Sequence, residues 1–585
     1  MGNRSLGNYD MVLGLSESKI NHQFTSLYTH GKIKKEWNFL TSSENDKFKR
    51  VVQGEAEKYW ETTKKYKKDL SETNKSIEEV DIKISSAIKK KEYEKLAKLD
   101  KEKDEYNAKV DEIQNLIKKE IHYNIQFMTN IKAPQIQILK DKPKSLLFII
   151  RFEKDSKITY KNAEDGIIHN YILDKGTQYA FTVSIGNLKL NTNDIENNIN
   201  HKTLKETLKK NEIHDNDFTI ESLFLDFENS NILVYDKENT IFSKTGGEQS
   251  LILALNKYFD QIKNTDNPYV LGYAISKDIV KEGEKAMLYP TGVAYSTSFS
   301  NGKRESSFNF LMLLNNHKFP TEGDAGILPS SLLTYAEDKT ATVNGVFGVN
   351  RDMFEENYVQ KLSGILREEI SNKLGEKCIS KSPNGNFDST IKFEWHNVNK
   401  GELFLNYSGI TQGDNNDISI NYDVKVSASL HKEIPVLPWG TAGADWQVST
   451  EGRHHKTGYK GSVKVTLRAG SSGKLDLAVT YENFTIGFNK AEPTFKKEVD
   501  EVAVTFASVA SEILSSLGVD LGIGDQFSGL DDLSTLGKAL KIQDLENLEN
   551  KVILPVASVY TYKNVRLNDS GTVILFDTSY TPVSK

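Results

Sequence analysis

Cysteine is nearly absent from this 585-residue chain, and this scarcity limits how the fold can be held together. Cys378 is the one cysteine, so no disulfide can form within the chain. Zinc sites built on paired cysteines are excluded for the same reason, and the eleven histidines include no HExxH motif. We therefore expect a fold stabilised by burial and hydrogen bonds, without a metal or another cofactor.

Long hydrophobic runs and an excess of positive charge are also missing. The mean hydropathy is -0.50, and no apolar run is long enough to span a bilayer. The first residues are polar and lack the apolar stretch of a signal peptide. We expect a cytoplasmic protein, or one released by a non-classical route. The net charge of -6 disfavours nucleic acid as a partner.

Catalytic motifs are sparse. GxSxG, GxGxxG and Walker A sequences do not occur, and the short Ser16-Glu-Ser-Lys19 sequence is better explained by Ser16 as a helix N-cap. The sequence therefore predicts no catalytic residue, and we expect a protein that is not an enzyme.

The beginning of the chain carries the clearest packing pattern. Met11 to Leu15 predict a short buried strand, and Ser16 is a good N-cap for the helix that follows. Apolar residues then recur at helical spacing. They are Ile20, Phe24, Leu27 and Tyr28. This face can fill a core, or it can line a groove that holds an acyl chain.

A charged segment without glycine or proline runs from Glu55 to Ala133. Its apolar residues keep one heptad phase before Lys89–Glu92 and another after it, which predicts a coiled-coil-like hairpin of two antiparallel helices. We expect residues 55–132 to form this hairpin as an insertion. A solvated spacer is the more economical interpretation, and a docking arm for a toxin or accessory protein partner is the alternative.

Alternating apolar and polar residues beyond position 133 predict many antiparallel strands, with a few long amphipathic helices among them. The fold class is therefore α+β. Two of those helices supply the remaining candidate groove residues. They are Leu255 and Phe259 in one helix, and Phe506, Val509 and Ile513 in a helix over residues 497–517.

Four short segments resemble the forty-seven-kilodalton accessory protein and the OrfX proteins of clostridial neurotoxin gene clusters. They begin at Tyr9, Asn267, Tyr289 and Phe308, and read YDMV (with KIN at Lys19–Asn21), NPYVLGY, YPTG and FNFLM. That family belongs to the tubular lipid-binding (TULIP) superfamily, in which a curved antiparallel sheet wraps a long helix. The resemblance implies TULIP-like modules over residues 1–54 with 133–350 and over residues 351–585.

The resemblance also implies a function. We expect a non-enzymatic protein that binds a lipid, a membrane surface or another hydrophobic ligand and assists a bacterial toxin or secreted complex. One alternative is a membrane-active toxin component, insecticidal or pore-forming, that inserts the hairpin or residues 518–536. Another is a structural protein that docks a partner through the hairpin.

Overall fold

The architecture was analysed in a computed structural model. It describes residues 6–43, 46–120, 123–162, 167–173, 176–191, 195, 202–210, 218–277, 288–301, 306–320, 328, 331–335, 343–395, 399–436, 440–448, 459–470, 475–486, 552–554 and 557–582. The helix predicted over 497–517 and the stretch 518–536 lie outside these residues.

The predicted strand and helix at the start of the chain are both present. Strand β1 spans Met11–Ser16 and helix α1 spans Glu17–Thr29. The Ser16 hydroxyl accepts a hydrogen bond from the Lys19 backbone N–H at 3.1 Å, which confirms Ser16 as the N-cap. β1 lies between β13 (Ser307–Leu313) and β14 (Gly345–Asn350), so it is a central strand and is buried along its whole length.

The inserted helical hairpin is confirmed. Helix α2 spans Gln53–Lys90 and α3 spans Tyr93–Glu120. Lys91 joins them in the left-handed conformation (φ 57°), at the point where the heptad phase changes. Val80, Ala87 and Leu99 are buried between the two helices. The hairpin is shorter than predicted, because residues 125–130 alternate their side chains across a sheet as strand β4 (Ile125–Asn130).

The remaining helices are amphipathic and lie against sheets. They are α4 (Lys202–Lys210), α5 (Glu248–Phe259), α6 (Arg351–Phe354) and α7 (Gln360–Leu374), with a π-helical turn over Glu355–Val359 between α6 and α7.

The described strands form four sheets in which every pair is antiparallel. One sheet has the order β12-β13-β1-β14-β24-β23 and another β22-β11-β10-β9-β6-β5. A third has the order β15-β16-β17-β18-β20-β21, with β19 beside β18, and the last is β3-β2-β4-β7-β8. Besides β1, β4, β13 and β14, the strands of these sheets are β2 (Glu36–Thr41), β3 (Phe48–Arg50), β5 (Gln135–Ile138), β6 (Ser145–Arg151), β7 (Ser156–Lys161), β8 (Ile168–Leu173), β9 (Gln178–Leu190), β10 (Phe218–Asp226), β11 (Val270–Lys277), β12 (Gly292–Ser298), β15 (Cys378–Asn384), β16 (Asp388–Trp395), β17 (Asn399–Gln412), β18 (Asp417–Val436), β19 (Gly440–Val448), β20 (Tyr459–Ala469), β21 (Leu475–Ile486), β22 (Val552–Ile553), β23 (Ala557–Leu567) and β24 (Val573–Pro582).

This arrangement confirms the α+β class. One continuous cluster of buried apolar side chains includes residues of α1, α5 and α7 together with strands of all four sheets. Strand β24 pairs with β14, and β14 pairs with β1. Strands that are far apart in the sequence therefore lie in one sheet. The division into two modules at residue 350 remains a prediction.

Candidate apolar ligand site

The groove candidates of α1 point into the shared core. Ile20, Phe24 and Leu27 are buried, as their spacing predicts. Tyr28 is half-buried, and its hydroxyl donates a hydrogen bond to the Ile131 carbonyl at 2.8 Å. This hydrogen bond joins α1 to Ile131, the residue directly after β4. The Tyr28 hydroxyl therefore lies at the edge of the core.

The α5 candidates are buried as deeply. Leu255 and Phe259 are completely covered. The Phe259 ring stacks on Phe227 at a centroid distance of 4.5 Å and lies 5.4 Å from Phe181. Gly247 precedes the helix with φ +87°, and a Cβ there would lie 2.3 Å from Tyr171. This glycine lets the helix begin directly against the ring of Tyr171.

The two helices meet at a set of rings that we call the aromatic cluster. Its members are Phe24, Phe148, Phe181, Phe227, Phe259 and Tyr269. Tyr269 links the two sides, because its ring lies 6.1 Å from Phe24 and 5.2 Å from Phe227. The candidates of α1 and α5 therefore share one apolar interior. Phe506, Val509 and Ile513 lie outside the described residues, and contact between a lipid and any of these side chains remains a prediction.

The helix beginning at Arg351 contains a feature that the sequence interpretation missed. The Asn350 side chain caps this helix by accepting a hydrogen bond from the Asp352 backbone N–H at 3.0 Å. The π-helical turn follows, and it buries Asn357 and Tyr358. Turns of this kind are rare and occur often at functional sites. In the sequence, Asn357 and Gln360 look like ordinary polar positions of a helix, so no local signal marks the turn.

Three polar atoms near this turn are buried without a hydrogen-bond partner in the described part of the chain. They are Oδ1 of Asn357, the hydroxyl of Tyr358 and Oε1 of Gln360. The Asn357 amide nitrogen does donate, to the Met353 carbonyl at 2.9 Å. The Tyr358 ring stacks on Phe354 at 4.5 Å. Burial raises the pKa of Tyr358 well above its usual value, helped by nearby Tyr422, so the phenol keeps its proton.

A partly buried polar network lies at the start of the same helix. Glu355 Oε1 accepts hydrogen bonds from Arg351 Nε at 2.8 Å and from the Tyr407 hydroxyl at 2.7 Å. Burial raises the pKa of Tyr407, and its hydrogen bond to the Glu355 carboxylate raises it further. The network fixes α6 to strand β17, and all three of its side chains are paired.

A buried cation lies on α1. Lys19 is 6% exposed, and its Nζ donates to the Tyr580 carbonyl at 3.5 Å and lies 5.4 Å from the centre of the Tyr580 ring. Burial lowers the pKa of Lys19 to about 8. One turn further along, Gln23 donates to the Val270 carbonyl at 2.6 Å, while its own Oε1 is buried and unpaired. Polar groups therefore lie beside the apolar face of α1.

Metal-binding clusters and membrane-spanning helices are both absent from the described residues. No group of three or more histidine, cysteine, aspartate or glutamate side chains is arranged to hold a metal ion there. None of the helices in those residues combines the length and the apolar character needed to cross a membrane.

No protein-family model matches the sequence, and no curated protein is similar to it. Among solved structures, the chain is similar to a lipopolysaccharide binding protein, over 99% of this chain and 100% of that one. The sequence identity is 8% and the TM-score is 0.22. At this level, the similarity supports no conclusion about function.

Proposed function

We propose that this protein is a non-enzymatic binder of a lipid or another hydrophobic ligand, whose polar end lies at the π-helical turn. The observation that carries the proposal is the set of unpaired buried polar atoms of Asn357, Tyr358 and Gln360. Leaving a buried polar group unpaired costs about 1–3 kcal/mol. A ligand that supplies the missing hydrogen bonds would recover part of this cost.

The residue types indicate the ligand chemistry. The Tyr358 hydroxyl can donate to a carboxyl or ester oxygen, and the amide oxygens of Asn357 and Gln360 can accept from a ligand hydroxyl. Apolar side chains of the same helix, such as Phe354 and Leu362, adjoin these groups in the sequence and belong to the shared core. An acyl chain gains about 0.8 kcal/mol for each methylene that it buries. A fatty acid or a monoacylglycerol fits both requirements.

The experiment measures lipid uptake by delipidated protein, using native mass spectrometry and titration with oleic acid and monoolein. Tyr358→Phe removes the hydroxyl and keeps the ring, and we expect affinity to fall about fivefold, the loss of one hydrogen bond. Tyr179→Phe is the matched control, because that buried hydroxyl is already paired with the Ile232 carbonyl at 2.6 Å. The proposal fails if delipidated protein takes up neither lipid, or if both variants bind like the wild type.

The resemblance to toxin-cluster proteins extends the proposal to an accessory role for a bacterial toxin or secreted complex. Its support is limited to the four short segments, and two of them, at Tyr9–Val12 and Phe308–Met312, overlap the paired strands β1 and β13. Packing alone could therefore account for these two segments. Pull-down of a toxin encoded beside this gene tests the accessory role, and dye release from liposomes tests the alternative of a membrane-active component.

A further inference from the structure

The far end of the helical hairpin combines exposed apolar side chains with concentrated positive charge. Ile88 is 59% exposed and Tyr93 is 75% exposed, and both lie within three residues of the turn at Lys91. Lys89, Lys90 and Lys91 are exposed between them. We call residues 83–98 the hairpin tip.

Charge is unevenly distributed along the hairpin. The hairpin tip has six lysines and two glutamates, a net charge of +4, whereas the whole chain carries -6. The segments next to the tip have the opposite sign, with a net charge of -4 over residues 69–82 and -3 over residues 99–112. Within the tip, Lys95 forms an ion pair with Glu92 at 3.2 Å. Lys89, Lys90 and Lys91 at the turn do not belong to that pair. A solvated spacer does not require this segregation.

The position of the tip makes it accessible. A helix of 38 residues is about 57 Å long, so α2 carries the turn far from where the helix begins beside β2. The buried seam of Val80, Ala87 and Leu99 keeps the two helices together up to the turn. The tip is therefore a small surface at the end of two paired helices.

We propose that the hairpin tip docks on anionic membrane surfaces. Lysines near such a surface each contribute attraction, and their stems allow the ammonium groups to reach the headgroups. Ile88 can enter the acyl boundary, and Tyr93 suits the interface because its ring is apolar and its hydroxyl is polar. Charge complementarity selects the anionic bilayer as the occupant. This surface is separate from the apolar interior and does not depend on lipid uptake there.

Co-sedimentation of the full chain with vesicles tests the proposal. We expect binding to phosphatidylcholine vesicles that contain about a third phosphatidylserine, weak binding to pure phosphatidylcholine, and a loss of binding as salt is raised. A triple Lys89→Gln, Lys90→Gln and Lys91→Gln variant should bind about 100-fold more weakly, from about fivefold per lysine. A double Ile88→Ser and Tyr93→Ser variant should also bind more weakly.

The matched control removes the same charge from the acidic middle of the hairpin. Lys75, Lys101 and Lys109 are exposed there, and changing all three to glutamine should leave most of the binding intact. The proposal is overturned if the wild type does not bind anionic vesicles, or if the tip and control triples lose binding equally. Tip-dependent binding to polyglutamate without vesicle binding would overturn it in favour of an acidic protein partner. Circular dichroism checks that each variant keeps its helices.

Discussion

Lys19 provides the sharpest test of the energetics of this fold. It is almost completely buried on α1, and burial lowers its pKa from 10.5 to about 8. In the unfolded chain the side chain is solvated and keeps its ordinary pKa. Lys19→Met retains a flexible side chain of similar length and removes the charge, so it isolates the cost of the buried ammonium group.

The sign follows from proton binding in the two states. Below about pH 8 Lys19 is protonated both folded and unfolded, and the full cost of the buried charge is present. Between pH 8 and 10.5 the folded state releases its proton while the unfolded state retains it, so this cost shrinks as the pH rises. Lowering the pKa of Lys19 from 10.5 to about 8 corresponds to roughly 3 kcal/mol. Of this, about 1 kcal/mol should disappear between pH 7 and pH 9.

The measurement is the free energy of unfolding in urea, followed by tryptophan fluorescence, at several pH values. We expect Lys19→Met to be more stable than the wild type at pH 7, with an advantage that decreases by about 1 kcal/mol by pH 9. The decrease is the decisive quantity, because packing differences between Lys and Met do not depend on pH. Lys34→Met, at an exposed lysine, is the control. An advantage that stays constant or grows with pH would refute the reasoning.

Three further substitutions test the packing around the same core, each by urea denaturation against the wild type. Ser16→Ala should cost about 1 kcal/mol through loss of the cap of α1, and Ser16→Asn should restore most of it. Phe259→Ala should cost about 3–5 kcal/mol because the aromatic cluster surrounds that ring, and an equal loss for an exposed residue such as Phe319→Ala would contradict this. Gly247→Ala should cost more than about 1 kcal/mol, because its φ is +87° and a Cβ would meet Tyr171; Gly31→Ala has a similar φ without a neighbour and should cost less.

Local patterns in the sequence predicted local structure well. The cap at Ser16, the inward face of Ile20 and Phe24, and the break at Lys89–Glu92 all follow from interactions within a few residues. Helix capping and periodicity are properties of short segments, so one sequence contains them. The end of the hairpin was predicted less well, because a short strand beside a charged helix is recognised only through its pairing with β2.

The candidate site was predicted only in its apolar part. The periodicity of α1 and α5 predicted which of their side chains point inward, but not the π-helical turn, because Asn357 and Gln360 resemble ordinary polar positions of a helix. Their significance depends on burial and on missing partners, and both depend on the surrounding strands. No pattern within a window of twenty residues contains that information.

Lys19 shows how the two ends of the chain depend on each other. Its ammonium group contacts the carbonyl and the ring of Tyr580, which lies more than 560 positions away in β24. β24 reaches that place because it pairs with β14, which pairs in turn with β1, the strand directly before α1. A cation at position 19 is therefore buried only when the last strand has joined the first sheet. Since that burial raises the free energy of the folded state, the strand pairing and apolar contacts of β24 must exceed the cost of the Lys19 charge.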